Sequence, residues 1–254
     1  MSAQSWMEAL RPQVAMLRRI RDLVVVESCS STQDLARERG AGSCVIALEQ
    51  REGRGRLGRR WIDVPGAGLA MSVALDTDPA DGTLSVRAGV AVAEALESKP
   101  SAQRVGLRVG LKWPNDLEIG GQKLGGILVE RTGRCAVIGI GINVSQESMP
   151  SELQSRATSL AMSGCQVSRL DVAGAILQAI DHMDQVSPHE LAARFATRDR
   201  LTGCTLAFRT PEGLVRGEVR RLDPLRGLEV WSGGRLLFLP ADTTSVVPAE
   251  EGES

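Results

Sequence analysis

The sequence predicts an α+β chain, a mixed or antiparallel sheet flanked by helices and followed by a small C-terminal β-barrel. Three observations carry that prediction. Segments of helical and of strand periodicity interleave over most of the sequence, and a Gly-Gly pair marks an antiparallel hairpin among them. From Gly203 the pattern changes to short strands separated by Gly/Pro turns, too few for a sandwich but suited to a small barrel. That change sets the expected boundary, with residues 1–201 in the larger unit and 202–254 in the smaller. A protein of 254 residues with 43% hydrophobic content has enough material for a buried core.

The elements follow in order. Trp6, Leu10, Val14, Leu17 and Ile20 recur at helical spacing, so residues 3–20 read as an amphipathic helix. "LVVVES" reads as a strand. "SSTQDLARERG" then carries a helix start at Ser31 or Thr32, an acidic residue in the first turn and Gly40 as a stop. "CVIALEQ" is a strand that runs into an arginine-rich loop, "GLAMSVAL" a strand, and "LSVRAGVAVAEALES" a helix of small residues. "LRVGLKWPNDLEIGGQKLGGILVER" reads as two strands joined at Gly120-Gly121, and "CAVIGIGINV" as an apolar strand interrupted by Gly139 and Gly141. Helical patterns return over residues 168–199.

Composition excludes several classes of function. A net charge of −1 argues against coating nucleic acid by bulk electrostatics, so any basic function is local. The five cysteines lack the paired spacing of a zinc or dithiol site and read as buried thiols in a reducing compartment. No apolar run approaches the roughly 18–20 residues of a membrane span, and no signal-peptide core is present. A cytoplasmic protein without membrane contact is expected.

Four motifs carry chemistry. In "EQREGRGRLGRRW" five arginines alternate with Gly53, Gly55 and Gly58 before Trp61. Such a run fits a solvated connection, an RNA-binding segment, or a loop that folds over a phosphate-bearing ligand. Glycines permit close backbone approach, and guanidinium forks match phosphate oxygens. Trp61 is its one aromatic residue for base stacking, which weakens the RNA reading, and without a Lys-Ser/Thr ending it does not match a P-loop. In "KWPNDL", Pro114 holds Trp113 extended and presents Lys112, Asn115 and Asp116 at a strand end, where a hairpin corner is the plain alternative. Gly125 and Gly126 in "GQKLGGILVE" imply close approach of a ligand or backbone, or a β-bulge. "GIGINV" repeats that pattern and ends in Asn143.

In this order and spacing the four motifs resemble the catalytic domain of biotin protein ligases, over nearly the whole sequence from about Val24. The resemblance implies the biotin/lipoate ligase-like fold with an SH3-like C-terminal barrel. It also implies a two-step reaction. Biotin and ATP, with magnesium, give biotinyl-AMP, and a lysine of a biotin carboxyl carrier protein domain then takes the biotin. The arginine loop would be mobile when empty and would order over the adenylate.

Carried over residue by residue, Lys112, Arg54 and Arg56 would be catalytic. Ser31, Thr32, Gln50 and Gly126 would bind biotin together with Arg54 and Lys112, and Arg56, Trp61, Lys123 and Asn143 would bind nucleotide. Ser31 also fits a helix cap, Trp61 a core position, and Asp116 a magnesium ligand, a lysine-orienting group or a turn residue.

The sequence departs from the family's pattern at two places. Gln33 stands where Asn is usual, and "DTTSVVPAE" lacks the arginine that often reaches the nucleotide from the last strand. About two dozen residues precede the first catalytic strand, so the expectation is a monofunctional ligase without a DNA-binding domain, monomeric or homodimeric. The competing readings are a lipoate or octanoate ligase of the same fold, a biotin-binding sensor without catalysis, and an RNA-binding module.

Overall fold

The structure is a computed structural model that describes residues 1–241 and 243–247. Asp242 and residues 248–254, which include both ends of "DTTSVVPAE", lie outside the described residues.

A seven-stranded mixed sheet organises the larger part. Its strands are β1 (Asp22–Cys29), β2 (Ser43–Gln50), β5 (Gly68–Asp76), β6 (Gly110–Lys112), β7 (Asp116–Ile119), β8 (Gln122–Thr132) and β9 (Cys135–Asn143). The spatial order is β1-β2-β5-β9-β8-β7-β6, with β1 and β2 parallel and every other pair antiparallel. Between β2 and β5 the arginine-rich segment forms a two-stranded ribbon, β3 (Gly53–Arg54) and β4 (Arg60–Trp61), closed by a 3-10 turn at Arg56–Gly58. The loop expected there thus has its own backbone pairing.

Helices cover both faces. On one side α1 (Ala3–Val14), α3 (Leu84–Glu97) and α5 (Arg169–His182) pack on Ile46, Met71, Val73 and Ile138. On the other, α2 (Thr32–Arg39) buries Ala36 against Val45, Ala74 and Val137. Ser31 caps α2 by accepting a bond from Gln33 N, and Gly40 ends it at φ +82°. The short α4 (Pro100–Arg104) and α6 (Pro188–Ala196) complete the layer, and the backbone N–H of Leu111 donates to Arg198 O beyond α6.

The segment that follows α6 forms a five-stranded antiparallel sheet, the kind from which a small barrel is rolled. Its strands are β10 (Thr205–Thr210), β11 (Gly213–Asp223), β12 (Gly227–Ser232), β13 (Arg235–Pro240) and β14 (Ser245–Val247). One face, with Phe208, Val219, Leu228 and Val230, joins the main core, and Trp113 Nε1 donates to Pro224 O across the junction.

Three expectations are corrected. The first helix stops at Val14 and does not run to Ile20, because Asp181 on α5 takes the backbone N–H groups of Arg18, Arg19 and Ile20 and pulls that stretch out of helical geometry. Asp181 is fully buried with three charge-assisted bonds. Asp181→Ala strands those donors and is expected to lower the unfolding free energy by about 2 kcal/mol, read from a denaturant midpoint. Second, the two strands expected around "KWPNDL" are three, since Pro114 separates β6 from β7, while Gly120 and Gly121 make the expected turn with φ +58° and +83°. Third, of the cysteines only Cys44 and Cys165 are buried; Cys204 is exposed.

Candidate active site

Alternation along the sheet puts small residues on one face in two adjoining rows. Ala47, Ala70, Gly141 and Gly126 stand opposite one another across β2, β5, β9 and β8, and Val45, Ser72, Gly139 and Leu128 form the next row. Beside α2 this face is the floor of a cleft of about 780 Å³, with the arginine ribbon and the C-terminal sheet in its walls. Small floor residues let a flat ligand lie close to backbone. Gly125, one residue from Gly126, points the other way, where a Cβ would stand 2.4 Å from Gly141 O. The register also shifts between Leu117 and Glu118, opposite this pair. Both readings of "GG" therefore hold, close backbone approach and a bulge.

Neutral hydrogen-bonding groups gather over β2, β5 and β9. Thr32 donates from both N–H and Oγ1 to Gln50 Oε1, at 2.8 and 3.0 Å, and its hydroxyl lies 2.7 Å from Ser72 Oγ. Ser72 in turn donates to Gln33 Oε1 at 2.9 Å. Gln33, longer than the usual Asn, spans the gap and donates to the carbonyls of Leu128 and Val137. Asp63 holds the Gln50 N–H, and burial pushes its carboxyl above the usual range. Ser72 is absent from the motifs singled out above; its one signal in the sequence is that it is the sole polar side chain in "GLAMSVAL".

Cations gather over β8, β7 and β6. Lys112 Nζ lies 3.5 Å from Glu118 Oε1, and Lys123 Nζ lies 2.7 Å from Asp116 Oδ1 and over the Trp61 ring. Glu118 is 7% exposed, and burial pushes its carboxyl up against the opposing pull of Lys112. Arg56 lines the cleft, where desolvation pushes its guanidinium down and Asp116 counters. Trp61 packs on Gly141, where a Cβ would come within 2.7 Å of its ring, and its buried Nε1 has no partner among the described residues. Three strand spacings, about 14 Å, separate the Ser72 strand from the Asp116 strand.

The structure brings Ser31, Thr32, Gln50, Arg54, Arg56, Trp61, Lys112, Lys123 and Gly126 to this one cleft. Asn143 is the exception. It is buried, donates to Thr158 O and accepts from Gln146, and does not line the cleft. Its side chain is spent closing the strand end. Asp116 orients a lysine, but the lysine is Lys123; the partner of Lys112 is Glu118, a residue no motif marks. The C-terminal sheet contributes Thr205, Arg216 and Ser245 to the wall, so a basic residue does come from that sheet, on β11 and not on the last strand. No group of three or more potential metal ligands occurs among the described residues.

Residues 25–145 match the biotin/lipoate A/B protein ligase family. The biotin–acetyl-CoA-carboxylase ligase of Mycobacterium tuberculosis is 33% identical over 233 residues, which is 86% of each protein. The bifunctional ligase/repressor BirA of Bacillus spizizenii is 38% identical over 169 residues, 61% of this protein and half the length of that relative. Among solved structures, the biotin protein ligase of Aquifex aeolicus in complex with biotin and ATP superposes with a TM-score of 0.78 at 26% identity. That match covers 91% of this protein and all of the other.

Proposed function

The chain belongs to the biotin/lipoate A/B protein ligase family, and from that premise we propose that it is an ATP-dependent biotin protein ligase. One observation carries the reading. A single cleft offers a neutral hydrogen-bond network over a small-residue floor at one end and convergent cations at the other. Biotin's fused rings are neutral and need few polar contacts, while its carboxylate and a nucleotide's phosphates need positive charge.

The biotin rings would lie on Gly126 and Ala70, beside the Trp61 ring that covers Gly141, against Ser31, Thr32 and Gln50, with the carboxylate toward Lys112. An oxygen of that carboxylate would attack the α-phosphorus of ATP, the bond to the bridging oxygen would break, and pyrophosphate would leave. Lys112, Lys123 and Arg56 would balance the charge that builds up on the phosphoryl oxygens. In the second step an acceptor lysine amine would attack the biotinyl carbonyl, AMP would leave, and an amide would form. The acceptor would be a biotin carboxyl carrier domain, in keeping with the name of the Mycobacterium relative. Asp116 and Glu118 are each engaged by a lysine, so a resident magnesium site does not fit; magnesium would enter with ATP as part of the substrate.

The test is pyrophosphate release from ATP by the purified protein with biotin, with lipoate and with neither. Release that needs biotin, at least tenfold above the lipoate arm, is the expected result, followed by labelling of a carrier domain on its lysine. Equal or greater release with lipoate would move the substrate to that acid. Binding of biotin with no release would make the protein a sensor.

A further inference from the structure

We propose that Asp34 and Glu130 are positioning residues that anchor the arginine ribbon through Arg54, leaving Arg56 as its phosphate-facing cation. The geometry divides the two arginines. Arg54 gives its fork to Asp34, Nη1 to Oδ2 at 2.9 Å and Nη2 to Oδ1 at 2.7 Å, and Nη2 also lies 3.4 Å from Glu130 Oε2. Arg37, one turn along α2, holds Asp34 Oδ1 at 2.9 Å and bonds Glu130 Oε2 as well. Two guanidiniums and two carboxylates thus alternate across three elements, α2, β8 and the ribbon. Arg54 pulls the Asp34 carboxyl below its usual range, in keeping with a real pair.

A guanidinium whose paired donors are committed to carboxylates is a poor phosphate ligand, since a phosphate must first displace them. The Arg56 guanidinium has no hydrogen bond or ion pair among the described residues, and it lines the cleft. The anchor also reaches Trp61. Arg54 pairs with Arg60 across the ribbon and Gly53 with Trp61, so the point where Arg54 is held sets where the Trp61 ring meets Gly141. Isolated exposed ion pairs contribute little, but a shared bidentate network can select one position of a short ribbon.

The anchoring half stands without any substrate, and the division of phosphate contact rests on the adenylation proposed above. The full-length protein is digested with trypsin with no ligand added, and cleavage after Arg56, Arg59 and Arg60 is timed. Asp34→Asn, Glu130→Gln and Arg54→Ala are each expected to speed it, by about fivefold for Asp34→Asn, and Asp34→Asn with Arg54→Ala is expected to add nothing to either alone. With biotin and ATP but no acceptor, Asp34→Asn should raise escape of the adenylate by about fivefold. It should leave the first turnover of pyrophosphate within about threefold, whereas Arg56→Ala should slow that turnover by about 100-fold. Unchanged cleavage in Asp34→Asn and Glu130→Gln overturns the anchor. A first turnover as slow in Arg54→Ala as in Arg56→Ala, with Asp34→Asn normal, overturns the division. If the wild type releases no pyrophosphate, the adenylation reading fails, while the cleavage rates still decide the anchor.

Discussion

Replacing Lys112 by alanine is expected to lower biotin-dependent pyrophosphate release by about 10³-fold, with the fold retained. Lys112 ends β6, directly before the Trp113-Pro114 pair, so a buried tryptophan fixes its backbone from the C-terminal side. Its side chain is 39% exposed to the cleft while the Glu118 carboxylate that faces it is nearly enclosed. The ammonium is therefore oriented from behind and open in front, the arrangement a cation needs to meet charge that develops only as the carboxylate reaches phosphorus.

Alanine removes that charge and leaves Glu118 buried without its partner. The Lys112 side chain is 39% exposed and its ammonium stands 3.5 Å from the carboxylate, so the pair is partly solvated, and its removal opens Glu118 to water from the cleft. The unfolding free energy should accordingly change by no more than about 1 kcal/mol. A turnover assay beside a denaturation curve separates the two effects. A rate within tenfold of wild type would remove Lys112 from the chemistry and shift the role to Arg56 or Lys123.

Local features were legible where one residue type has one conformational meaning. Ser31 and Gly40 bound α2, and Gly120-Gly121 turns β7 into β8, because capping and positive φ are settled within a few residues. The cleft's composition was legible too, since the resemblance named residues from β2, β6, β8 and the ribbon that the fold brings together. What escaped depends on partners distant in sequence. Asp181 lies more than 160 residues from the helix end it terminates. The partners of Arg54 could not be read either, because its carboxylates sit on α2 and β8, 20 and 76 residues away. Asn143 offered the amide a nucleotide site would want, and only the fold shows Thr158 and Gln146 using both ends of it. Glycine spacing was legible as close approach, but which of Gly125 and Gly126 faces the ligand side depends on register.

Substituting valine at Gly141 is expected to weaken biotin binding by about 100-fold and to change Trp61 fluorescence, with little change in the far-ultraviolet spectrum. Gly141 lies near the end of β9, flanked by Ala70 of β5 and Gly126 of β8, and its missing side chain leaves the space that the Trp61 ring fills on the cleft floor. A Cβ there would stand 2.7 Å from Trp61 Cε2 and 2.9 Å from Cζ2. The indole must then lift, and it cannot do so alone, because Trp61 pairs with Gly53 in the ribbon and Lys123 sits over its ring. Valine is a good strand residue, so the sheet itself should accept the change. The cost falls instead on the space between floor and ribbon, where the proposed ligand lies. Isothermal titration with biotin and the emission of Trp61, isolated by comparison with a Trp61→Phe background, give the two readings. Gly125→Ala is the control for a purely structural effect. Its Cβ would press on Gly141 O and Ile142, so it should reduce stability and leave biotin affinity nearly unchanged among the molecules that fold. Equal losses of affinity at the two glycines would mean that strand distortion, and not occupation of the floor, sets binding.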